Sequence, residues 1–424
     1  MYSRQFVIPA LCLALGISVN TARGQEPSPK IVTIHNFKNL QTGAFPQGGL
    51  VIGTGGVLYG TTQQGGTLTA PCPVKPNPDD GCGTVYQLTP PSAEGEPWTE
   101  TVLHRFANKT RLDGHWPFAG LTLGADGVLY GTTEYGGEQS GGTIFQLTPP
   151  VSPGEPWTYS VIVNLTSGNG FTPECVLAID ANGNLYGTAP DGGDYYPSTN
   201  GTVFETTPPA SPGLPWLTTT LYNFTGENGD GANPQAGVVM APDGSLFGTT
   251  PNGGSASYGT VFELTPPASQ GAPWTETVIY SFGSQEPDGL YPMGGLTIGA
   301  GGVLYGTTSY GGTADFGTVF QVTPPAIPGA PWTESVIYNF TGQNGDSYPI
   351  SSLVLGSRGM LYGATTGGEA FELTPPAIPG GTWTQGFSLA FTGSNLGGLA
   401  LATNGVLYGT GSAGVNGEVF KVVP

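Results

Sequence analysis

The chain has 424 residues, 72 of them glycine and 40 proline, with 10 Lys plus Arg against 29 Asp plus Glu and a formal charge of −19. So acidic a protein repels phosphate backbones and anionic headgroups, which argues against nucleic acid and leaves cations and neutral polymers as partner classes. The 19 Phe, 19 Tyr and 7 Trp recur at regular intervals. A disordered chain has no reason to space its aromatics, so the Gly and Pro content reads as the turns of a folded all-β protein.

The N-terminus reads as an export signal. Arg4 precedes an apolar run from Phe6 to Val19, and Ala22-Arg23-Gly24 offers small residues for cleavage, so residues 1–24 are assigned as a signal peptide and Gln25 as the mature start. The run is short for a membrane span and no later segment is apolar enough to be one, so no integral membrane segment is expected. Three cysteines remain after cleavage. Cys72 and Cys82 bracket a Pro-rich loop and are expected to form a disulfide in an exported protein, and Cys175 is read as a buried free thiol.

From there the chain is a tandem repeat. A Leu-Tyr-Gly element recurs at Tyr59, Tyr130, Tyr186, Phe247, Tyr305, Tyr362 and Tyr408, each followed by a Thr-Val-Phe element ending at Tyr86, Phe145, Phe204, Phe262, Phe320, Phe371 and Phe420. A Trp-led segment starts at Trp98, Trp157, Trp216, Trp274, Trp332 and Trp383, and a segment of the type Gly295-Leu296-Thr297-Ile298 precedes each Leu-Tyr-Gly. All four are short, β-branched or aromatic, and bounded by Gly, Pro, Asp and Asn, the mark of strands. In order they are strands A (Gly-Leu-Thr-Ile), B (Leu-Tyr-Gly), C (Thr-Val-Phe) and D (Trp-led). Four strands per unit predict a β-propeller of antiparallel four-stranded blades rather than a β-helix.

Strands A to C occur seven times and the Trp-led D strand six. Residues 31–37, ending His35-Asn36-Phe37, match the end of a D strand (Tyr338-Asn339-Phe340) and precede the first A strand. The chain is therefore expected to be one seven-bladed propeller domain over 25–424, with residues 31–37 closing the blade formed by 397–423 and covering its open edge. The A–B turns (Asp126-Gly127, Asn182-Gly183, Asp243-Gly244, Asn404-Gly405) are tight hairpins. They share a face with uniform Pro-rich C–D loops, which read as spacers. The D–A and B–C connections share the other face and vary, which is where function is expected.

The repeats resemble the GloVer-type tandem repeats of the "choice-of-anchor" family of exported bacterial proteins. Leu-Tyr-Gly-Thr-Thr, the following Gly-Gly, and Gly-Thr-Val-Phe with its Leu-Thr-Pro tail carry the likeness, as over Tyr305–Pro324. The resemblance covers roughly 31–423 and implies a bacterial protein that is secreted, periplasmic or on the cell surface. It implies no reaction. The chain ends on a β-strand without an apolar or basic tail, a departure from the family's C-terminal anchors that favours a soluble product.

On the variable face, the residue before a repeated Pro is aromatic at Phe45, Trp116, Tyr291 and Tyr348. Such rings either stack on sugars or pack between blades. The B–C loops add Asp191, Asp194, Tyr195, Tyr310 and Asp315 as candidate ligand-binding residues. Asp113, Asp230, Asp288 and Asp346 open the D–A connections, where they either make turns or hold Ca²⁺; no cofactor and no dedicated metal site are otherwise indicated. His35 and His104 occupy a D-strand position held elsewhere by Tyr and read as structural, whereas His115 sits beside Asp113 in a candidate loop. There is no nucleophile elbow and no His- or Cys-based metal motif.

These features point to an exported, non-enzymatic propeller that presents a binding face to glycans or another surface polymer. Two alternatives stand beside it. One is a carbohydrate-active hydrolase or lyase using B–C loop acids, with Glu134, Asp191, Asp194 and Asp315 as candidates. The other is a structural or interaction module of the cell envelope.

Overall fold

Each repeat folds as an antiparallel sheet in the order A–B–C–D, and seven such sheets form the ring of a β-propeller. The computed structural model describes residues 28–423 apart from 67–71, 73–80, 94, 108–111, 153, 194–199, 212, 270, 286, 328, 344, 379, 392–395 and 413. The assigned signal peptide lies outside the described residues. Blades 1 to 7 are identified by their C strands: Thr84–Thr89, Thr143–Thr148, Thr202–Thr207, Thr260–Thr265, Thr318–Thr323, Glu369–Thr374 and Glu418–Val423. Among the described residues no α-helix occurs, and the A–B connections are hairpin turns in which, for example, Asp126 and Gly127 both have positive φ (56° and 78°).

The register explains the two signature motifs. The Gly of Leu-Tyr-Gly lies directly across from the aromatic of Thr-Val-Phe, as in Gly306 opposite Phe320. A Cβ on Gly306 would stand inside van der Waals contact with the Phe320 ring, so the missing side chain makes room for it. All seven C-strand aromatics are fully buried. The ring at the end of each D strand then crosses into the following blade: Phe37 meets Tyr86, Phe106 meets Phe145, Phe224 meets Phe262, Phe282 meets Phe320 and Phe340 meets Phe371, edge-to-face at 5.0–5.4 Å. Phe391 meets Phe420 at 5.0 Å, and Leu165 takes the place beside Phe204.

Two further contacts repeat between blades. The aromatic of Leu-Tyr-Gly touches the next blade's Trp, as Tyr305 does Trp383 and Tyr408 does Trp98, with ring centroids 5.8 and 5.9 Å apart. The first Thr after Leu-Tyr-Gly donates to a main-chain carbonyl of the following blade. These bonds run from Thr61 to Ala119, Thr132 to Cys175, Thr188 to Ala236, Thr249 to Gly294, Thr307 to Ser351 and Thr410 to Gly48, at 2.8–3.2 Å. Between blades 6 and 7, Ala364 stands in the Thr position and the N-terminal strand carries no Trp.

The ring closes through the N-terminus. Lys30–Asn36 pairs antiparallel with Glu418–Val423 as the fourth strand of blade 7. Its pairing steps from Thr33↔Phe420 to His35↔Val419, leaving Ile34 as a bulge, and Leu103, Ile162, Leu221, Ile279 and Ile337 are bulged at the same point of other D strands. The terminal segment is thus a D strand in detail, and Phe37 behind it is buried against Tyr86 of blade 1. Deleting residues 25–38 should cost at least the ~3–5 kcal/mol of removing a buried Phe and expose a strand edge. The expected result is a lower thermal midpoint with dimers or aggregates by size-exclusion chromatography; an unchanged midpoint in a monomer would contradict this account of closure.

Candidate functional site

The variable face is organised by one backbone device. Six D–A connections place the residue before their Pro in the left-handed region: Phe45, Trp116, Thr172, Asn233, Tyr291 and Tyr348, with φ of 54–59°. Bulky and β-branched residues avoid this region, and it is held here from both sides. The N–H of each donates to the residue two before strand C of the preceding blade (Asn416, Cys82, Gly141, Asn200, Tyr258 and Phe316) at 2.7–3.0 Å. In four of the six, the carbonyl accepts from the residue after strand B of its own blade (Gln63, Glu134, Ser309 and Thr366); Pro190 and Pro251 have no N–H to offer at the other two. The next residue, Pro, packs its Cδ on the Gly before strand C, as Pro349 does on Gly317.

Where both partners in this clasp are aromatic, their rings meet. Tyr258 and Tyr291 lie 5.5 Å apart across blades 4 and 5, and Phe316 and Tyr348 lie 5.7 Å apart across blades 5 and 6. Tyr310 joins them, at 5.9 Å from Tyr291 and 5.1 Å from Tyr348. A short pairing of Leu290 with Tyr310 fixes the B–C loop against the D–A connection. The product is a continuous belt of Tyr258, Tyr291, Tyr310, Tyr348 and Phe316, with Tyr258 37% and Tyr310 43% exposed. Asp315 lies at its edge, exposed, with Oδ1 accepting the Gly311 N–H at 2.9 Å.

The structure thus brings together four of the residues the sequence singled out: Tyr291, Tyr310, Tyr348 and Asp315. It places others apart. Trp116 is only 8% exposed and packs edge-to-face on Tyr135 in a cluster with Cys72, Cys82 and Phe106, so its ring is not open to a ligand. Phe45 is half-buried at the blade 7–1 junction. Asp194 and Tyr195 lie outside the described residues. Tyr258 and Phe316 were missed, although their position immediately before Gly-Thr of strand C is aromatic in blades 4 and 5 alone.

A second group lies at blades 2 and 3. Asp191 accepts from Thr172 Oγ1 at 3.0 Å. Glu174, also missed, follows Pro173; burial lifts its carboxyl to about 7, and repulsion from Glu134 and Asp191 adds to this. Burial likewise pushes the Tyr135 hydroxyl up to about 12, with a hydrogen bond to Glu134 contributing. His115 is a core residue, stacked 5.9 Å from Tyr135, and burial takes it down to about 4 against the opposing pull of Asp113.

The aspartates of the D–A connections hold their own loops. The second carboxylate oxygens of Asp113, Asp230, Asp288 and Asp346 accept the main-chain N–H of Ala107, Thr225, Gly283 and Thr341 at 2.7–3.1 Å. Asp180 is likewise satisfied by the amides of Asn182 and Asn184, both at 2.8 Å. Among the described residues no group of three or more His, Cys, Asp or Glu side chains is arranged to hold a metal ion.

Cys72 and Cys82 form a disulfide, and Cys175 is a buried thiol. The bridge anchors the B–C loop of blade 1 beneath Trp116, whose N–H binds the Cys82 carbonyl. Replacing both cysteines by Ser should lower stability by roughly 2–4 kcal/mol, read as a fall in the denaturant midpoint; no change would mean the loop is held by packing alone.

The model of the Gloeobacter/Verrucomicrobia repeat matches three overlapping spans, residues 25–196, 74–320 and 153–374. No curated protein matches the sequence. Solved structures are similar at the level of fold. A Bacteroides uniformis protein assigned as 6-phosphogluconolactonase is 15% identical, with 80% of this chain and 92% of that one covered at a TM-score of 0.50. A Xanthomonas campestris gluconolactonase is 15% identical over 79% and 87% (TM-score 0.38), and the PQQ-bound aldose sugar dehydrogenase of Streptomyces coelicolor is 13% identical over 93% and 98% (TM-score 0.45).

Proposed function

The chain belongs to the Gloeobacter/Verrucomicrobia repeat family, and on that premise we propose that it is an exported binding protein whose ligand is a neutral glycan or similar polymer, held on the tyrosine belt. The observation that carries this reading is the belt itself. Five rings on three adjoining blades form one surface, and two of them are exposed to solvent. Aromatic faces offer apolar area to the C–H side of a pyranose, and tyrosine hydroxyls bond to its rim. Extended ligands suit a belt better than a pocket does. The net charge of −19 disfavours polyanions and leaves neutral chains as the best match. Export is part of the proposal, supported by the Cys72–Cys82 disulfide, which fits an oxidising compartment.

Tyr310→Ala and Tyr258→Ala test it. Both side chains are exposed, so stability should stay within about 0.5 kcal/mol of native. Affinity for neutral polysaccharides on a glycan array should fall about two- to tenfold per ring, the ~0.5–1.5 kcal/mol of an aromatic contact. Trp116→Phe should leave binding unchanged. Equal binding by native protein and both tyrosine variants would remove the belt from consideration.

The hydrolase or lyase reading is favoured by one feature, the grouping of Glu174, Glu134 and Asp191, in which burial raises the Glu174 carboxyl to about 7. A pair of carboxyl groups, one of them raised by burial, is the arrangement that acid–base cleavage of a glycosidic bond uses. If this group is catalytic, the native protein shortens a bound glycan and Glu174→Gln abolishes the shortening while binding persists. Intact glycan after prolonged incubation with native protein would end that reading.

A further inference from the structure

Three consecutive junctions, between blades 3 and 4, 4 and 5, and 5 and 6, share an arrangement that the other junctions lack. Each contains a D-strand Tyr (Tyr222, Tyr280, Tyr338), the Asp that opens the following D–A connection (Asp230, Asp288, Asp346), and a Glu from the next blade (Glu276, Glu334, Glu369). Tyr222 and Tyr280 donate to their Asp at 3.2 and 2.9 Å. Asp288 and Asp346 are 6% and 7% exposed, and Glu369 is fully buried. One oxygen of each of Asp288, Asp346, Glu276, Glu334 and Glu369 has no hydrogen-bond partner. Among the described residues no Lys or Arg pairs with any of these acids; a basic side chain meets a carboxylate where His35 faces Glu100 and His104 faces Asp113, at the blade 7–1 and 1–2 junctions. At blades 6 and 7 the corresponding contact is apolar, with Ile31 and Leu389 in one cluster.

Asp288, Asp346 and Glu369 are buried and Asp230, Glu276 and Glu334 half-buried; two carboxyl groups so withdrawn from water, facing each other without a cation, repel strongly if both are charged. A proton on one member removes the repulsion and supplies a donor for an orphaned oxygen. We propose that each of these three junctions holds one proton between its two carboxyl groups, and that the three protons form a pH-sensitive latch under the binding face. The latch acts on the belt through the chain itself. Asp288 begins the connection that runs through Leu290, paired with Tyr310, to Tyr291; Asp346 begins the one that carries Tyr348. This consequence for binding rests on the belt being the ligand site; the shared protons do not.

The titratable groups facing each Glu are Asp230 and Tyr222 for Glu276, Asp288 and Tyr280 for Glu334, and Asp346 and Tyr338 for Glu369. Burial first, then repulsion from the Asp, raises Glu276 to about 7 and Glu334 to about 8. For Glu369 burial again leads and Asp346 adds to it, reaching about 7 against a hydrogen bond from Ser388. Burial raises Asp288 as well, so the proton of that pair belongs to both groups. These acids titrate higher in the folded than in the unfolded chain. Their contribution is therefore complete below about pH 4.5 and is lost as pH rises through about 7 to 8.

Glu334→Gln and Glu369→Gln keep the shape and fix the neutral state. Followed between pH 5 and 8.5, the thermal midpoint of the native protein should fall as pH rises. Each variant should match native at pH 5, exceed it at pH 8.5 and give a flatter profile. The other raised acids, Glu174 among them, cancel in the comparison. Variant profiles parallel to native would overturn the proposal. So would a rise in the native midpoint at pH 8.5 on adding CaCl₂ that EDTA reverses and the variants do not show, since a cation would then fill the pairs. Should a variant fail to fold, infrared spectroscopy of the native protein decides: a protonated-carboxyl band persisting at pH 7 is expected, and its absence refutes the shared protons. Binding of neutral polysaccharide, weaker for native at pH 8.5 than at pH 5.5 and less pH-dependent in the variants, tests the link to the belt; equal dependence in native and variants would refute that link. If no polysaccharide binds at any pH while the midpoints behave as expected, the belt reading falls and the shared protons stand.

Discussion

The contact on which the ring depends is the aromatic ring that ends six of the seven D strands and inserts into the next blade. It lies edge-to-face on the C-strand aromatic there, and that aromatic has room only because strand B carries Gly directly across from it. Neither residue works without the other. A larger residue than Gly would push the C-strand ring out, and a smaller C-strand residue would leave the incoming Phe against a void. Because six of the seven junctions are made by such a ring and the seventh by Leu165, junction stability is shared around the circle rather than concentrated in a single core. This is how a chain so rich in Gly and Pro maintains order: its glycines are the sockets of its aromatics.

Around that fixed centre the functional face differs from blade to blade through one repeated clasp. The left-handed residue before Pro is locked by main-chain bonds to the blades on either side, so its side chain is free to vary while its position is not. The junctions of blades 4–5 and 5–6 fill the clasp with tyrosines and Phe316, and the outcome is an open belt. Blade 2 fills it with Trp116, and the disulfide beneath turns that ring inward. Blade 3 uses Thr172, whose hydroxyl holds Asp191. A single backbone geometry thus yields an aromatic surface, a packed wedge and an acidic group on one face.

Much of this was legible in the sequence because repeats compare a protein with itself. Strand order, blade number and the closing role of the N-terminal segment follow from counting Leu-Tyr-Gly, Thr-Val-Phe and Trp elements, and the pairing of Lys30–Asn36 with Glu418–Val423 bears the count out within one residue. The Cys72–Cys82 bridge also followed from its loop and its context. What could not be read was which side chains face each other across blades. Trp116 is the one Trp outside the D series and stands before Pro like Tyr291 and Tyr348, yet its burial comes from the neighbouring loop. Tyr258 and Phe316 looked like ordinary loop residues, since only the clasp brings their rings to Tyr291 and Tyr348. The acidic junctions were hidden for the same reason, because Asp288 and Glu334 are far apart in sequence and belong to different motifs.

The strand that completes blade 7 has a kinetic meaning as well as a structural one. Six blades are built from residues adjacent in the chain, so they can form locally as it emerges. The seventh needs Lys30–Asn36 to wait for Glu418–Val423, a pairing between the two ends of the protein. Contacts of such long range carry a large loop-closure cost and slow the final step of folding. Until then Phe37 has only its blade 1 neighbours Leu50, Leu58, Tyr86 and Leu88, without Val419, and blade 7 presents a bare edge. The junction that brings the two ends together, between blades 7 and 1, carries the full set of repeated contacts, with Thr410 bonded to the Gly48 carbonyl and Tyr408 against Trp98. The seam where the ends meet is thus fastened as fully as its neighbours, while the most sparingly fastened junction, between blades 6 and 7, is one whose strands A to C follow each other in the chain.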